Sequence, residues 1–130
     1  MASVAPWLSV RQGAEAVEYY KAAFGAVELH RHENDNGEIV AQLAVGEAVF
    51  WVADDAGHSP DFLGGGTARF ILTVADPDAV FAQAIAAGGT VVNDMYEGHG
   101  WRIGRLTDPS GHDWEIGKPL PDAGRQEPDP

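Results

Sequence analysis

The sequence predicts an α+β protein: two tandem βαβββ modules whose curved mixed sheets enclose a cleft, with the helices outside. Three observations carry this reading. The chain repeats itself, because "AVEYYKAAFG" at residues 16–25 matches "AVFAQAIAAG" at residues 79–88. The spacing repeats too, Val10–Val17–Gly25 in the first half and Val74–Val80–Gly88 in the second. Between the halves stands "DDAGHSPDFLGGG", residues 54–66, a stretch with the turn residues of a connection. An internal repeat of this length implies one structural unit used twice.

The elements follow in order. Val4 to Val10 reads as a strand. Gly13 to Phe24 has helical spacing, with Ala16, Val17, Tyr20 and Phe24 on one stripe, and Gly25 stops it. Val27 to His32 and Glu38 to Val45 read as a hairpin across "NDNG", with Asn36-Gly37 as a type I′ turn. That turn places His32 opposite Ala41 and His30 opposite Leu43. Glu47 to Ala53 is a further strand. In the second half, Ala68 to Val74 is a strand, and Asp76-Pro77 caps and opens a helix over Ala79 to Ala87. Thr90 to Asn93, Trp101 to Leu106 and His112 to Gly117 supply the last strands. Asp108-Pro109-Ser110-Gly111 is a tight turn with glycine at the positive-φ position. The chain is expected to be a single domain over 1–130, with module one at 4–53, a linker at 54–66, module two at 67–118 and a loose Pro-rich tail at 119–130.

Composition narrows the function. A net charge of −12 argues against nucleic acid, which is bound by neutralising phosphates with Lys and Arg. The same charge attracts cations, or serves solubility alone. No apolar run approaches the ~20 residues of a membrane span, so no membrane partner is expected. There is no cysteine and no recognisable leader, which together lead us to expect a cytoplasmic protein. Few lysines and abundant Ala and Gly suit a GC-rich bacterial genome. No nucleophile elbow or phosphate loop is present.

Strand alternation selects the wall of the cleft. Ala5, Trp7 and Ser9 share one face of the first strand, while Pro6, Leu8 and Val10 face the helix. Val49, Trp51 and Ala53 line the fourth strand. Arg69, Ile71 and Thr73 face the cleft, and Phe70, Leu72 and Val74 face the helix. Glu115 stands out as a carboxylate in the middle of the strand "HDWEIG", between Trp114 and Ile116, where a charge needs a partner.

A duplicated βαβββ unit that begins "SVRQGAEAVEYYKAAFGA" and ends "RIGRLTDPSGHDWEI" resembles the vicinal oxygen chelate superfamily. This is the glyoxalase I, bleomycin-resistance and extradiol-dioxygenase group. The segments "YYKAAFGA" and "WRIGRLTDPSGHDWEI" look like its PhnB-like branch. The resemblance covers about residues 4–118, and Trp101, Arg102, Gly104, Asp108, Pro109, Gly111, His112 and Trp114 carry it. It implies a fold and a cleft, not one activity. In metal-dependent members, four cleft-facing positions hold His or Glu. Carried over one at a time, these fall at Ala5, near Trp51, at Arg69 and at Glu115. A metal needs about three or four donors, and only Glu115 is one. No metal and no cofactor are therefore expected. Arg69 is instead placed to neutralise Glu115, either as an architectural ion pair or as part of a ligand grip.

The candidate ligand-binding residues are Trp7, Ser9, Trp51, Arg69, Thr73, Trp101 and Glu115, and no catalytic residue is assigned. His30 and His32 are wall-lining or solvated, His99 is a gate, a general acid/base or simply exposed, and His112 stabilises the closing turn. The reading is a small-molecule-binding protein of the glyoxalase/bleomycin-resistance type, sequestering an aromatic or cationic compound. The alternative is a lyase, isomerase or dioxygenase-type enzyme using the same cleft, with Glu115 as base in the metal-free case. A homodimer is expected, as in relatives.

Overall fold

The computed structural model describes residues 2–66 and 68–121. Two four-stranded mixed sheets make up the α+β fold. The first sheet contains β1 (Trp7–Val10), β2 (Val27–Glu33), β3 (Ile39–Val45) and β4 (Ala48–Asp54), in the order β1-β4-β3-β2. The second contains β5 (Arg69–Thr73), β6 (Thr90–Gly98), β7 (Trp101–Thr107) and β8 (Asp113–Pro119), in the order β5-β8-β7-β6. In each sheet the first and last strands pair in parallel and the other neighbours antiparallel. The repeated sequence thus yields the same topology twice. Among the described residues, no helix is long and apolar enough to cross a membrane.

Helix α1 spans Gly13–Phe24, the predicted extent, and ends on Gly25 at φ 70, whose N–H returns to Lys21 O. The segment 54–66, read from the sequence as loop alone, holds a 3-10 turn at Ala56–His58 and a short helix, α2 (Pro60–Leu63). Pro60 is compatible with a first helical turn because its missing N–H has no partner to lose there. Helix α3 (Pro77–Ala86) begins two residues before the predicted start, and the Asp76 carboxylate accepts from Ala79 N at 3.2 Å as a cap should. Strand β1 is shorter than expected and β6 longer. Strand β8 runs through Pro119, and Leu120 N donates to Gly100 O. The rest of the predicted loose tail, from residue 122, lies outside the described residues.

The hairpin turn departs from expectation, with a consequence for the site. Asn34 O accepts from Gly37 N, Asn34 Oδ1 accepts from Asn36 N and Glu38 N, and Gly37 takes φ 81. Asn36 does not adopt positive φ. This is the longer turn, closed by glycine in the left-handed region rather than a two-residue type I′ loop. The extra residue shifts the pairing by one: His32 lies opposite Val40 and His30 opposite Gln42, not Ala41 and Leu43. A one-residue shift moves every side chain to the other face. Both imidazoles therefore share the face of Val40 and Gln42, away from α1.

The core lies on the helix side of both sheets. Leu8, Val10, Ile39, Ala41, Leu43, Phe50 and Val52 are buried beneath α1; Leu72, Leu106, Trp114 and Ile116 are their counterparts in the second sheet. Helices α1 and α3 touch, and Gln83 Nε2 donates to Ala23 O and Tyr19 OH to Ala84 O across the junction. At its centre the Trp114 ring meets Phe24 at 4.7 Å, Phe70 at 5.2 Å, and Tyr20 and Phe50 at 5.7 Å. Against it sits Asp108, buried in the closing turn. Its carboxylate accepts from Tyr20 OH, Trp114 Nε1, Ser110 N and His112 N. His112 Nε2 lies 2.8 Å from Ser9 O, so the residue expected to serve its own turn also ties that turn to the first strand.

Candidate functional site

With the helix sides committed to the core, each sheet leaves its other face open. On the first sheet, register places Trp7 beside Trp51, Trp51 beside Gln42 and Gln42 beside His30. The indoles of Trp7 and Trp51 stack with centroids 6.4 Å apart and planes at 28°, and Trp7 remains 56% exposed. Ser9, the third predicted residue here, spends its hydroxyl on Asp55 at 3.0 Å. This face is an aromatic shelf edged by an amide and two imidazoles. Gln42 is a wall residue that alternation along β3 offers but that no motif singles out. The pairing of His30 with the shelf was hidden by the turn.

On the second sheet the open face carries charge. Arg69 Nη1 meets Glu115 Oε2 at 3.0 Å, joining β5 to β8 as expected. The pair is not deeply buried, with side-chain exposures of 50% for Arg69 and 20% for Glu115. Glu115 lines a cavity of about 360 Å³ together with Ile71, Tyr96, Gly98, His99, Trp101 and Ile103. Trp101, chosen from the closing motif, therefore lies with Glu115. Thr73 is on the same face, in register with Gly117, but does not line the cavity. Tyr96 was missed because β6 extends past its predicted end at Asn93. His99 takes φ 53 in the "GHG" turn, an uncommon conformation for a residue with a side chain, and points attention to that rim.

A second crease, about 320 Å³, runs between the sheets, with Pro6, Leu8, Val49 and Phe50 on one side and Arg69, Phe70, Ile71 and Trp114 on the other. Trp7 and Trp51 line neither cavity. The structure therefore brings the predicted residues together as two groups, Trp7 with Trp51 and Arg69 with Glu115 and Trp101, rather than around one cavity. A larger hollow of about 620 Å³ between α1 and the Asp108 turn contains none of the predicted residues.

The metal chemistry of the resembled family does not fit these residues. The four carried-over positions are an alanine, an indole, a guanidinium and one carboxylate, and that carboxylate already faces the guanidinium. With one carboxylate as the only donor among the four, the position lacks the three or four ligands that a metal ion needs. Among the described residues, no three His, Asp or Glu side chains stand together for a metal ion.

Comparison with known proteins agrees with the topology. The family model described as Glyoxalase/Bleomycin resistance protein/Dioxygenase superfamily matches residues 2–116. An uncharacterized protein of Mycobacterium bovis is 35% identical over 135 residues, covering 96% of this chain and 88% of the relative. Among solved structures, TioX from Micromonospora sp. ML1 superposes with a TM-score of 0.70 at 26% identity, over 90% of this chain and 95% of TioX. The fosfomycin resistance protein FosX from Mesorhizobium loti superposes with a TM-score of 0.73 at 13% identity, over 95% and 96% of the two chains. At that identity FosX shares the fold alone.

Proposed function

Because the chain belongs to the glyoxalase/bleomycin resistance protein/dioxygenase superfamily, we propose that it uses the shared fold as a receptacle, sequestering a small aromatic or cationic compound on its open sheet faces. The observation that carries this reading is the cavity lined by Ile71, Tyr96, Trp101, Ile103 and Glu115. An apolar, aromatic hollow with few convergent polar groups suits a small organic molecule. Flat rings stack on its aromatic walls, and a ligand cation finds both those rings and the Glu115 carboxylate. The net charge of −12 adds a long-range pull on cations. The absence of cysteine supports a cytoplasmic setting, and the closing motif supports placement in the PhnB-like branch.

The enzymatic alternative, a lyase, isomerase or dioxygenase-type reaction in the same cleft, has one observation in its favour: Glu115 and His99 line a single cavity. Recovery of the bound compound unchanged after prolonged incubation separates sequestration from turnover.

Trp7, Trp51 and Trp101 lie on the open faces, so ligand binding is expected to quench intrinsic fluorescence saturably across a panel of cationic aromatics. Glu115→Gln is expected to weaken that binding by roughly 1–3 kcal/mol, the range for a lost charged hydrogen bond. Its melting temperature should barely move. Arg69, left unpaired by this change, is half-exposed and regains water. A large loss of stability with unchanged binding would make the pair architectural.

We also propose a homodimer. Val27 and Leu29 are each more than half exposed on the edge strand β2, and pairing of copies there would cover apolar surface that a monomer leaves wet. Sedimentation at micromolar concentration should give twice the chain mass; a stable monomer would rule the proposal out.

A further inference from the structure

Arg69 and Glu115 form one ion pair but line different hollows. Glu115 belongs to the cavity on the open face of the second sheet, Arg69 to the crease between the sheets, and Ile71 lines both. Among the described residues lining the crease, Arg69 alone is charged. The buried rings of Phe50 and Trp114 set its depth, while Arg69 and Ile71, each at least half exposed, stand where it opens to solvent. The guanidinium is not saturated. Arg31 and Arg102 each spend two nitrogens on one carboxylate, Glu28 and Asp78 respectively. Arg69 has a single partner among the described residues, with Nη1 3.0 Å from Glu115 Oε2. A guanidinium offers five N–H donors in a planar fork, so one contact leaves donors to spare. Its exposure gives an incoming group an approach to them.

We propose that the crease is a second binding site, for a small apolar monocarboxylate. The carboxylate docks on the Arg69 donors that Glu115 leaves free, and the apolar body lies against Phe50, Phe70 and Trp114. A volume of about 320 Å³ is at the lower end of the range for small-ligand sites. The planar, weakly hydrated guanidinium matches a carboxylate in shape and charge. One cation in a chain of net charge −12 suits a single negative charge, because a second would meet the field of the whole protein without a local partner. The site stands apart from the cavity on the open face and does not rest on the sequestration reading.

Three probes share one aryl chain and differ in charge: 3-phenylpropionate is an anion, 3-phenylpropanol is neutral and 3-phenylpropylamine is a cation. Trp114 lines the crease and Trp101 the cavity, so their indole N–H signals in the NMR spectrum of the full-length chain tell the two hollows apart. Titration with 3-phenylpropionate is expected to shift the Trp114 signal saturably, with an affinity roughly tenfold or more above that of 3-phenylpropanol, as a charged hydrogen bond implies. Arg69→Gln should remove that advantage. Val49→Phe, which fills the crease at a residue that does not line the cavity, should abolish the Trp114 response. Glu115→Gln releases Arg69 from its partner and should tighten 3-phenylpropionate, the opposite of its expected effect on a cation in the cavity. No saturable shift at Trp114 overturns the proposal, as does an affinity no greater than that of the alcohol. A response confined to Trp101, or binding unchanged in both Arg69→Gln and Val49→Phe, overturns it equally. None of these outcomes bears on the cation site at Glu115, which is read from Trp101 with 3-phenylpropylamine.

Discussion

Replacing Trp114 with alanine is expected to lower the unfolding free energy by about 3–5 kcal/mol, the range for deleting a large buried aromatic. Trp114 is 5% exposed and central to the ring cluster that joins the two halves. Tyr20 and Phe24 come from α1 and Phe50 from β4, while Phe70 and Trp114 belong to the second sheet. Removing the indole therefore opens a void shared by both modules, bordered on several sides by rings that cannot all move in. It also takes away the Nε1 donor to Asp108. Urea denaturation should show an earlier midpoint and a single transition, because the halves share this cluster and should unfold together. A loss below about 1 kcal/mol, within the spread of ordinary surface changes, would mean that the helix contacts alone hold the halves together.

Asp108→Ala is expected to be of similar size, at least about 3 kcal/mol, for a different reason. The carboxylate is the acceptor for four donors, two side chains and two backbone N–H groups. Alanine leaves them facing one another in a buried site, and each buried unsatisfied donor costs about 1–3 kcal/mol. Burial and the neighbouring carboxylate push the Tyr20 phenol well above its ordinary pKa, so it keeps its proton and remains a donor. Tyr20→Phe removes one donor and leaves the rest, so its cost should be clearly smaller. Asp108→Ala and Trp114→Phe should not add, because both break the same hydrogen bond. Additive losses in a double-mutant cycle would show that the bond contributes nothing.

The architecture was legible because it is written twice. The repeated Val–Val–Gly spacing, the Asp76 cap and the Asp108 turn are local signals, and each appears in the structure where the sequence placed it. Alternation correctly put Trp7 and Trp51 together, and Arg69 with Glu115. What failed was information that no local window contains. The choice between two turns at Asn34–Glu38 depends on a side-chain cap by Asn34, and that choice decides which way His30 and His32 point. Tyr96 lay outside the candidate residues because β6 continues through two register shifts. The separation of the indole pair from the ion pair depends on how the two modules dock, which is decided by Trp114 and its neighbouring rings.

The split between helix side and open side has a bearing on descent. Nearly everything that holds the chain folded lies on one side of each sheet, and the candidate binding residues lie on the other. Exposed residues of the open faces, such as Trp7 and Ile71, can change at smaller cost than the buried Asp108, Trp114 and Tyr20. After the ancestral duplication, the two open faces were free to diverge, one toward stacked indoles and the other toward paired charges, under the protection of a shared interior. Lineages carrying this scaffold can change their open faces without passing through an unfolded intermediate, so kinship among them should be sought in the buried rings and the closing turn rather than on those faces.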